Sequence, residues 1–222
     1  MIFRDRREAG RLLGERLIDR VGEAPLVLGL ARGGMPVAFE VAQALRAPLD
    51  VLVVRKLGAP FQPELAMGAI AGGGVVVRNE EVLRMLPDAE AALLQASQRE
   101  QPELARRERS YRGGREPLNI DDREIVLVDD GVATGASVEA AMVALRELGA
   151  RRIVLAVPVG APESMHRLRT LADATVCLSQ PARFAAVGQA YENFGQTSDE
   201  EVRALLAEGQ FSAPADHAQR ET

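Results

Sequence analysis

Cysteine occurs once in this chain of 222 residues, at Cys177, which excludes an intrachain disulfide framework and a cysteine-built zinc site. Cys177 sits in the apolar run ATVCL and reads as a small buried hydrophobe. Histidine is nearly as scarce. His166 falls on an expected helix and His217 in a polar tail, and with no partners at metal spacing both read as surface residues. Tryptophan is absent, aromatics are 4% of the chain, and Lys56 is the one lysine among 27 basic residues. A formal net charge of -5 lacks the basic footprint of a duplex-coating protein, so a small-molecule partner is expected and nucleic acid is not. Apolar runs such as residues 153–162 fall well short of the roughly 20 residues of a membrane span, and Pro158 interrupts that one. The N-terminal MIFRDRREAG carries charges of both signs where a secretory signal has an apolar core. A cytoplasmic protein without membrane association is the expectation. Neither GxxxxGK[ST], a well-placed GxGxxG nor GxSxG occurs, which removes the usual support for nucleoside triphosphatase, dinucleotide and hydrolase readings.

What is present is ordinary globular composition, 47% hydrophobic and 27% charged, at a length that one α/β domain over residues 1–208 accommodates. A helix is expected from Ala9, Leu13, Leu17 and Val21, backed by Leu12 and Ile18. LVLGL (26–30) reads as a buried strand, ARGG as a turn, and Pro36 as the opening of a helix to Ala44. Residues 51–54 form a second strand, after which residues 55–74 are too rich in Gly and Pro to look regular. Val75 to Val77 suggest a short strand, and residues 80–109 a helix interrupted near Pro87 and Pro102. From residue 125, strands near 125–128, 153–157 and 175–178 alternate with helices near 136–148 and 162–171, the pattern of a parallel sheet with right-handed crossovers. A last helix opens at Ser198, and residues 209–222 form a polar tail expected to be disordered.

The most informative stretch is IVLVDDGVATGAS, residues 125–137. Asp129 and Asp130 stand at the carboxyl end of an apolar strand, where open α/β sheets bind ligands. Adjacent anions there repel one another unless hydroxyl donors or a cation offset them. Ribose hydroxyls and hydrated magnesium would do so. Gly131 to Ser137 then supply small residues, backbone N–H groups and the Thr134 and Ser137 hydroxyls at a helix N-terminus, an anion site. An acid pair for a diol beside a phosphate cradle describes a ribose 5-phosphate site. An ordinary capped strand-to-helix turn uses the same residue types but explains less of their order.

This stretch resembles the 5-phosphoribosyl 1-diphosphate (PRPP) motif of type I phosphoribosyltransferases, and the likeness extends over about residues 26–178. It implies an α/β fold of type I phosphoribosyltransferase kind: a parallel sheet flanked by helices, with a flexible loop insertion and a small hood. The insertion would lie within residues 59–115 and the hood near 180–197. It also implies that GLARGGMP offers Arg32, Gly33 and Gly34 to pyrophosphate, joined by Arg55 and Lys56 of VVRKLGAP. Gly131, Val132, Ala133, Thr134, Gly135 and Ser137 would hold the 5-phosphate, with Asp129, Asp130 and Lys56 as the catalytic set. Taken alone, ARGG is also a tight turn with a solvated arginine, and Arg55–Lys56 a basic pair on a loop. The run RRERSYRGGR (106–115) reads as a solvated helix face, with a phosphate clamp across a subunit boundary as the other reading.

The reaction implied by the resemblance is displacement of pyrophosphate from C1 of PRPP by a nitrogen nucleophile, with Mg2+ as cofactor, in nucleotide salvage. Magnesium would meet Asp129 and Asp130 through water or ribose hydroxyls, with no direct protein ligand assigned. A homodimer is a common arrangement among relatives. Members that act on 6-oxopurines carry a third Asp before the Thr-Gly, where this sequence has Ala133, which makes those bases less expected. Phe184, Tyr191 and Phe194 are available in the hood either to stack on a ring or to pack in the core. The competing function is a non-catalytic protein that senses PRPP or nucleotides, against which the acidic charge and retained basic residues count.

Overall fold

Every residue of β1 (Leu26–Leu30) is buried, as a strand covered on both faces must be. The structure, a computed structural model, describes residues 1–209, without the side chains of residues 63 and 64. The expected α/β arrangement is present. β1 pairs in parallel with β2 (Leu49–Leu52) on one side and β6 (Glu124–Val128) on the other. β7 (Arg152–Val159) and β8 (Ala174–Ser179) complete a five-stranded sheet of order β2-β1-β6-β7-β8. Alternate residues of each strand feed two cores. Val27, Val126, Val128 and Val154 pack with α1 (Arg6–Leu17) and α2 (Gly34–Leu45). Leu28, Ile125, Leu127 and Leu155 pack with α5 (Ala136–Glu147) and α6 (Pro162–Leu168). The order reverses between β1 and β6, so the loops leaving their carboxyl ends face each other across a crevice.

α1 is capped by Asp5, whose carboxylate accepts the Glu8 N–H at 2.8 Å. Its buried stripe is Ala9, Leu13 and Leu17 with Gly10 and Gly14, whose missing side chains let it lie against α2. Leu12 and Ile18, expected to back that stripe, are instead 39% and 54% exposed because they lie off the seam that faces α2. The second strand also shifts from the expected residues 51–54 to Leu49–Leu52.

The largest departure concerns residues 55–74. They are not irregular: β3 (Val54–Ala59) and β4 (Gln62–Ala71) join β5 (Val75–Arg78), the short strand expected from Val75 to Val77, in an antiparallel sheet of their own. Cross-strand pairing overrides local composition here, and Gly68 serves the sheet, since a Cβ there would lie 2.3 Å from Val77 O. α3 (Glu80–Leu83) and α4 (Ala89–Arg112) follow, separated near Pro87 as expected. Pro102 does not break α4, although its ring removes one hydrogen bond from the ladder. Pro158 likewise lies within β7, beyond Ala156, where pairing with β6 ends.

α7 (Asp199–Glu208) is capped by Ser198, and Gly209, placed in the tail from sequence, is its buried C-cap. The rest of that tail, with His217, lies outside the described residues. Cys177 is half-buried, and burial raises its thiol pKa. His166 is exposed on α6. Among the described residues no helix is long and apolar enough to cross a membrane.

Candidate active site at the switch point of the sheet

Gly29 of β1 stands level with Val128 of β6, so residues 31–34 pass directly beside Asp129 and Asp130. Glycine permits that approach. A Cβ at Gly33 would lie 2.2 Å from Asp130 Oδ2, and one at Gly34 would lie 2.7 Å from Val128 O. The Ala31–Arg32 peptide bond in this loop is cis. Arg32 Nη1 lies 3.5 Å from Asp199 Oδ1, which also accepts the Tyr111 hydroxyl at 2.8 Å. That hydroxyl, ahead of Arg32, holds Asp199 below the usual carboxylate range, while burial pushes Tyr111 up to about 12.

The acid pair is held by few donors. Asp130 N–H donates to Asp129 Oδ1 at 2.9 Å. Arg6 Nε donates to Asp130 Oδ2 at 2.8 Å, with side-chain exposures of 12% and 13%. The Tyr191 hydroxyl donates to Asp130 O at 2.5 Å. Burial pushes the Asp129 carboxyl well above its ordinary value, and the neighbouring Asp130 charge adds to this. Burial also raises Asp130, against the opposing pull of Arg6. Arg6 is the principal residue that sequence reasoning missed: it begins α1, 124 positions before its partner, and no local pattern marks it.

After the acids the chain turns into α5. Gly131 has no room for a side chain, since a Cβ would lie 2.5 Å from Val187 Cγ1. Ser164 Oγ donates to Ala133 O at 2.6 Å, and Arg167 Nη2 to Thr134 O at 2.6 Å, which tie the loop to α6. Gly135, at φ +81°, begins α5 with no side chain capping it, and Thr134 and Ser137 are exposed. First-turn N–H groups have no intrahelical acceptor, so this terminus is open to an anion. Val132 is an exception to the expected phosphate set. Its N–H donates to Val159 O at 2.9 Å and its side chain is buried, so it braces the loop and has no amide to offer.

Arg6, Arg32, Gly33, Asp129, Asp130 and Ser137 line one cleft of about 420 Å³ together with residues 194–197. Two expected members stand elsewhere. Arg55 donates to Glu100 of α4 at 2.7 and 2.5 Å, and Lys56, next along β3, lines a separate cavity of about 680 Å³ with Ala136, Ser137 and Arg167. Consecutive strand residues point to opposite faces, which is why the pair is divided. Ser137 and Val54 border both cavities. Of the hood aromatics Tyr191 is buried in packing, Phe184 is half-buried and Phe194 is 38% exposed. Tyr191 and Phe194 lie 5.0 Å apart, Phe184 packs against a small core with Phe3, and the Arg6 guanidinium covers a face of Phe194 at 3.9 Å. The 106–115 run is only partly solvated: Arg106 and Arg107 pair with Glu103, but Arg112 is buried on Asp50.

A model of the phosphoribosyl transferase domain matches residues 6–192, from the arginine on Asp130 to just beyond Tyr191. The chain belongs to the phosphoribosyl transferase family. A protein of known structure from Thermus thermophilus is 48% identical and superposes with a TM-score of 0.85, covering 94% of this chain and 99% of that one. Proteins from two strains of Mycobacterium tuberculosis, carrying the provisional name phosphoribosyl transferase, are 54% identical over 206 residues, 92% of this chain and 46% of theirs. The chain thus spans about half the length of those curated relatives. A uracil phosphoribosyltransferase from Lactobacillus gasseri is 34% identical over 141 residues, 60% of this chain and 63% of that protein. This member of the phosphoribosyl transferase family has the acid pair, the Gly33–Gly34 loop and the open α5 terminus in one neighbourhood.

Proposed function

We propose that the chain transfers the 5-phosphoribosyl group of PRPP to a nitrogen of a nucleobase and releases pyrophosphate. One observation carries this: Asp129 and Asp130, short of donors, lie between a glycine loop in van der Waals contact with them and an uncapped helix terminus. The amides of the 133–137 turn and the Thr134 and Ser137 hydroxyls bind the 5-phosphate, with Arg167 steadying the turn. Asp129 and Asp130 accept from the ribose hydroxyls. Arg32 and the backbone at Gly33 and Gly34 hold pyrophosphate. Lys56 adds positive charge on the 5-phosphate side, through the cavity it shares with Ser137. Binding at both ends fixes C1 and excludes water, which supplies much of the rate advantage. The bond from C1 to the pyrophosphate oxygen breaks, the N–C1 bond forms, and the acceptor N–H proton is released.

Magnesium fits the donor set. Two adjacent carboxylates supplemented by substrate phosphates are a usual magnesium environment, and among the described residues no three-ligand protein cluster competes for the ion. Asp129 and Asp130 would hold it through water, and it would supply charge neutralisation for pyrophosphate. The relative named for uracil supports a pyrimidine acceptor, and salvage of free bases is the corresponding role. Calorimetric titration of PRPP with and without magnesium, followed by a pyrophosphate-release screen over purine and pyrimidine bases, tests the reading. Magnesium-dependent binding with release for one base supports it. Binding without turnover favours a PRPP sensor, and no binding overturns the site.

A further inference from the structure

Arg32 is the charged side chain that the 31–34 loop brings to the cleft. A guanidinium is an all-donor group on a long, flexible stem. Among the described residues this one meets a single side-chain partner, Asp199, whose Oδ1 lies 3.5 Å from Arg32 Nη1. The contact does little for stability, since the two side chains are 33% and 38% exposed and ion pairs so open to water contribute little. Asp199 is nevertheless held from below. It stands in the first turn of α7, directly after the Ser198 cap, where the helix dipole favours an anion. Its Oδ1 accepts the hydroxyl of Tyr111, a residue near the end of α4 that is 2% exposed and packed in the core. Arg106 and Arg107, the other cations whose charge reaches this cluster, pair with Glu103. A buried hydroxyl thus fixes a carboxylate, and that carboxylate is the internal partner of the cleft arginine. Neither Tyr111 nor Asp199 lines the cleft itself.

Resting on the reading of Arg32 as a pyrophosphate ligand, we propose that Tyr111 and Asp199 are positioning residues that hold the Arg32 guanidinium at the cleft wall before PRPP arrives. An arginine side chain has large rotamer freedom, and freedom already given up in the unliganded protein no longer weakens binding. Contact through Nη1 alone leaves the other donors of the planar group for phosphate oxygens. Charge by itself acts in the opposite direction. A carboxylate beside an anion site repels the ligand, so Asp199 favours pyrophosphate only through the geometry it imposes on Arg32.

Tyr111→Phe removes one hydroxyl and leaves every charge in place, including the Asp199 carboxylate beside Arg32. Pyrophosphate and ribose 5-phosphate, each titrated calorimetrically with magnesium present, report the two ends of the site separately. Pyrophosphate affinity should fall about threefold in Tyr111→Phe and about fivefold in Asp199→Ala, while ribose 5-phosphate affinity stays within about 1.5-fold in both. The same two substitutions are then made in an Arg32→Ala background and read with PRPP, which the 5-phosphate turn still holds. There they should change affinity by less than about 1.5-fold, because nothing remains for them to position. A role confined to packing α7 on α4 would instead weaken both ligands and persist without Arg32. Equal losses for the two ligands, an effect that survives Arg32→Ala, tighter pyrophosphate binding in either variant, or wild-type affinity in both overturns the proposal. Undiminished pyrophosphate affinity in Arg32→Ala, or no pyrophosphate binding by the wild-type protein, overturns the reading of Arg32 itself. That result is distinct from a loss at Arg32 with none at Tyr111 or Asp199.

Discussion

Two buried clusters in this molecule have the same composition, two carboxylates and one arginine, and opposite character. In the first, Asp50 and Glu108 surround Arg112 beneath the edge strand β2. Asp50 accepts from Arg112 Nε, Val51 N–H and Leu118 N–H, while Arg112 Nη2 donates to Val51 O. In the second, Asp129 and Asp130 face Arg6, and among the described residues the Asp129 side chain accepts only the Asp130 N–H. The first satisfies Asp50 and Arg112 from within the fold. The second leaves lone pairs turned toward a cleft. Equal charge content thus serves support in one place and ligand capture in the other, and the number of internal donors decides which.

The comparison breaks most visibly at Arg112. Arg112→Met strands Asp50, whose side chain is 7% exposed, and should cost about 3–5 kcal/mol in denaturant unfolding while PRPP affinity in the folded protein is kept. Gly33→Ala attacks the other cluster. Its Cβ would lie 2.2 Å from an oxygen that Arg6 holds in place, so PRPP affinity in the folded protein should fall by about 100-fold, near 2.7 kcal/mol. Asp129→Asn sharpens the contrast from the stability side. Because burial raises the Asp129 pKa, the folded state binds its proton more tightly than the unfolded state, so wild-type stability falls as pH rises from the ordinary carboxylate range through the raised value. The Asn variant escapes that loss. It should be more stable by about 1 kcal/mol at neutral pH, with the advantage vanishing in acid and PRPP binding impaired. The smallest effect is expected at Arg55. Arg55→Ala removes a half-buried pair with Glu100 and should cost about 1 kcal/mol or less, with PRPP affinity within about twofold. A larger loss of affinity would return Arg55 to the pyrophosphate side.

Legibility in the sequence followed the range of the forces involved. Asp129, Asp130, Gly131 and Gly135 could be read because strand, turn and helix start follow one another within a few residues, each with its own local chemistry. Gly33 and Gly34 were legible as a turn, but the contact that requires them, against Asp130 and Val128, is made across the sheet. Arg6 and Asp199 could not be read at all, because tertiary packing alone brings them to Asp130 and Arg32. Residues 54–71 misled for a related reason. Their glycines and prolines argue for a loop, yet pairing partners make them strands, and the alternation that follows divides Arg55 from Lys56. The same pairing was invisible to composition.

The cleft draws its walls from residue 6 at one extreme and residues 194–197 at the other. During synthesis the acid pair and its glycine loop emerge well before the segment that carries Phe194 and Gly195. A ribosome-bound chain can therefore build the parallel sheet before its cleft is complete, and the cleft's walls close only when residues 194–197 have joined residue 6.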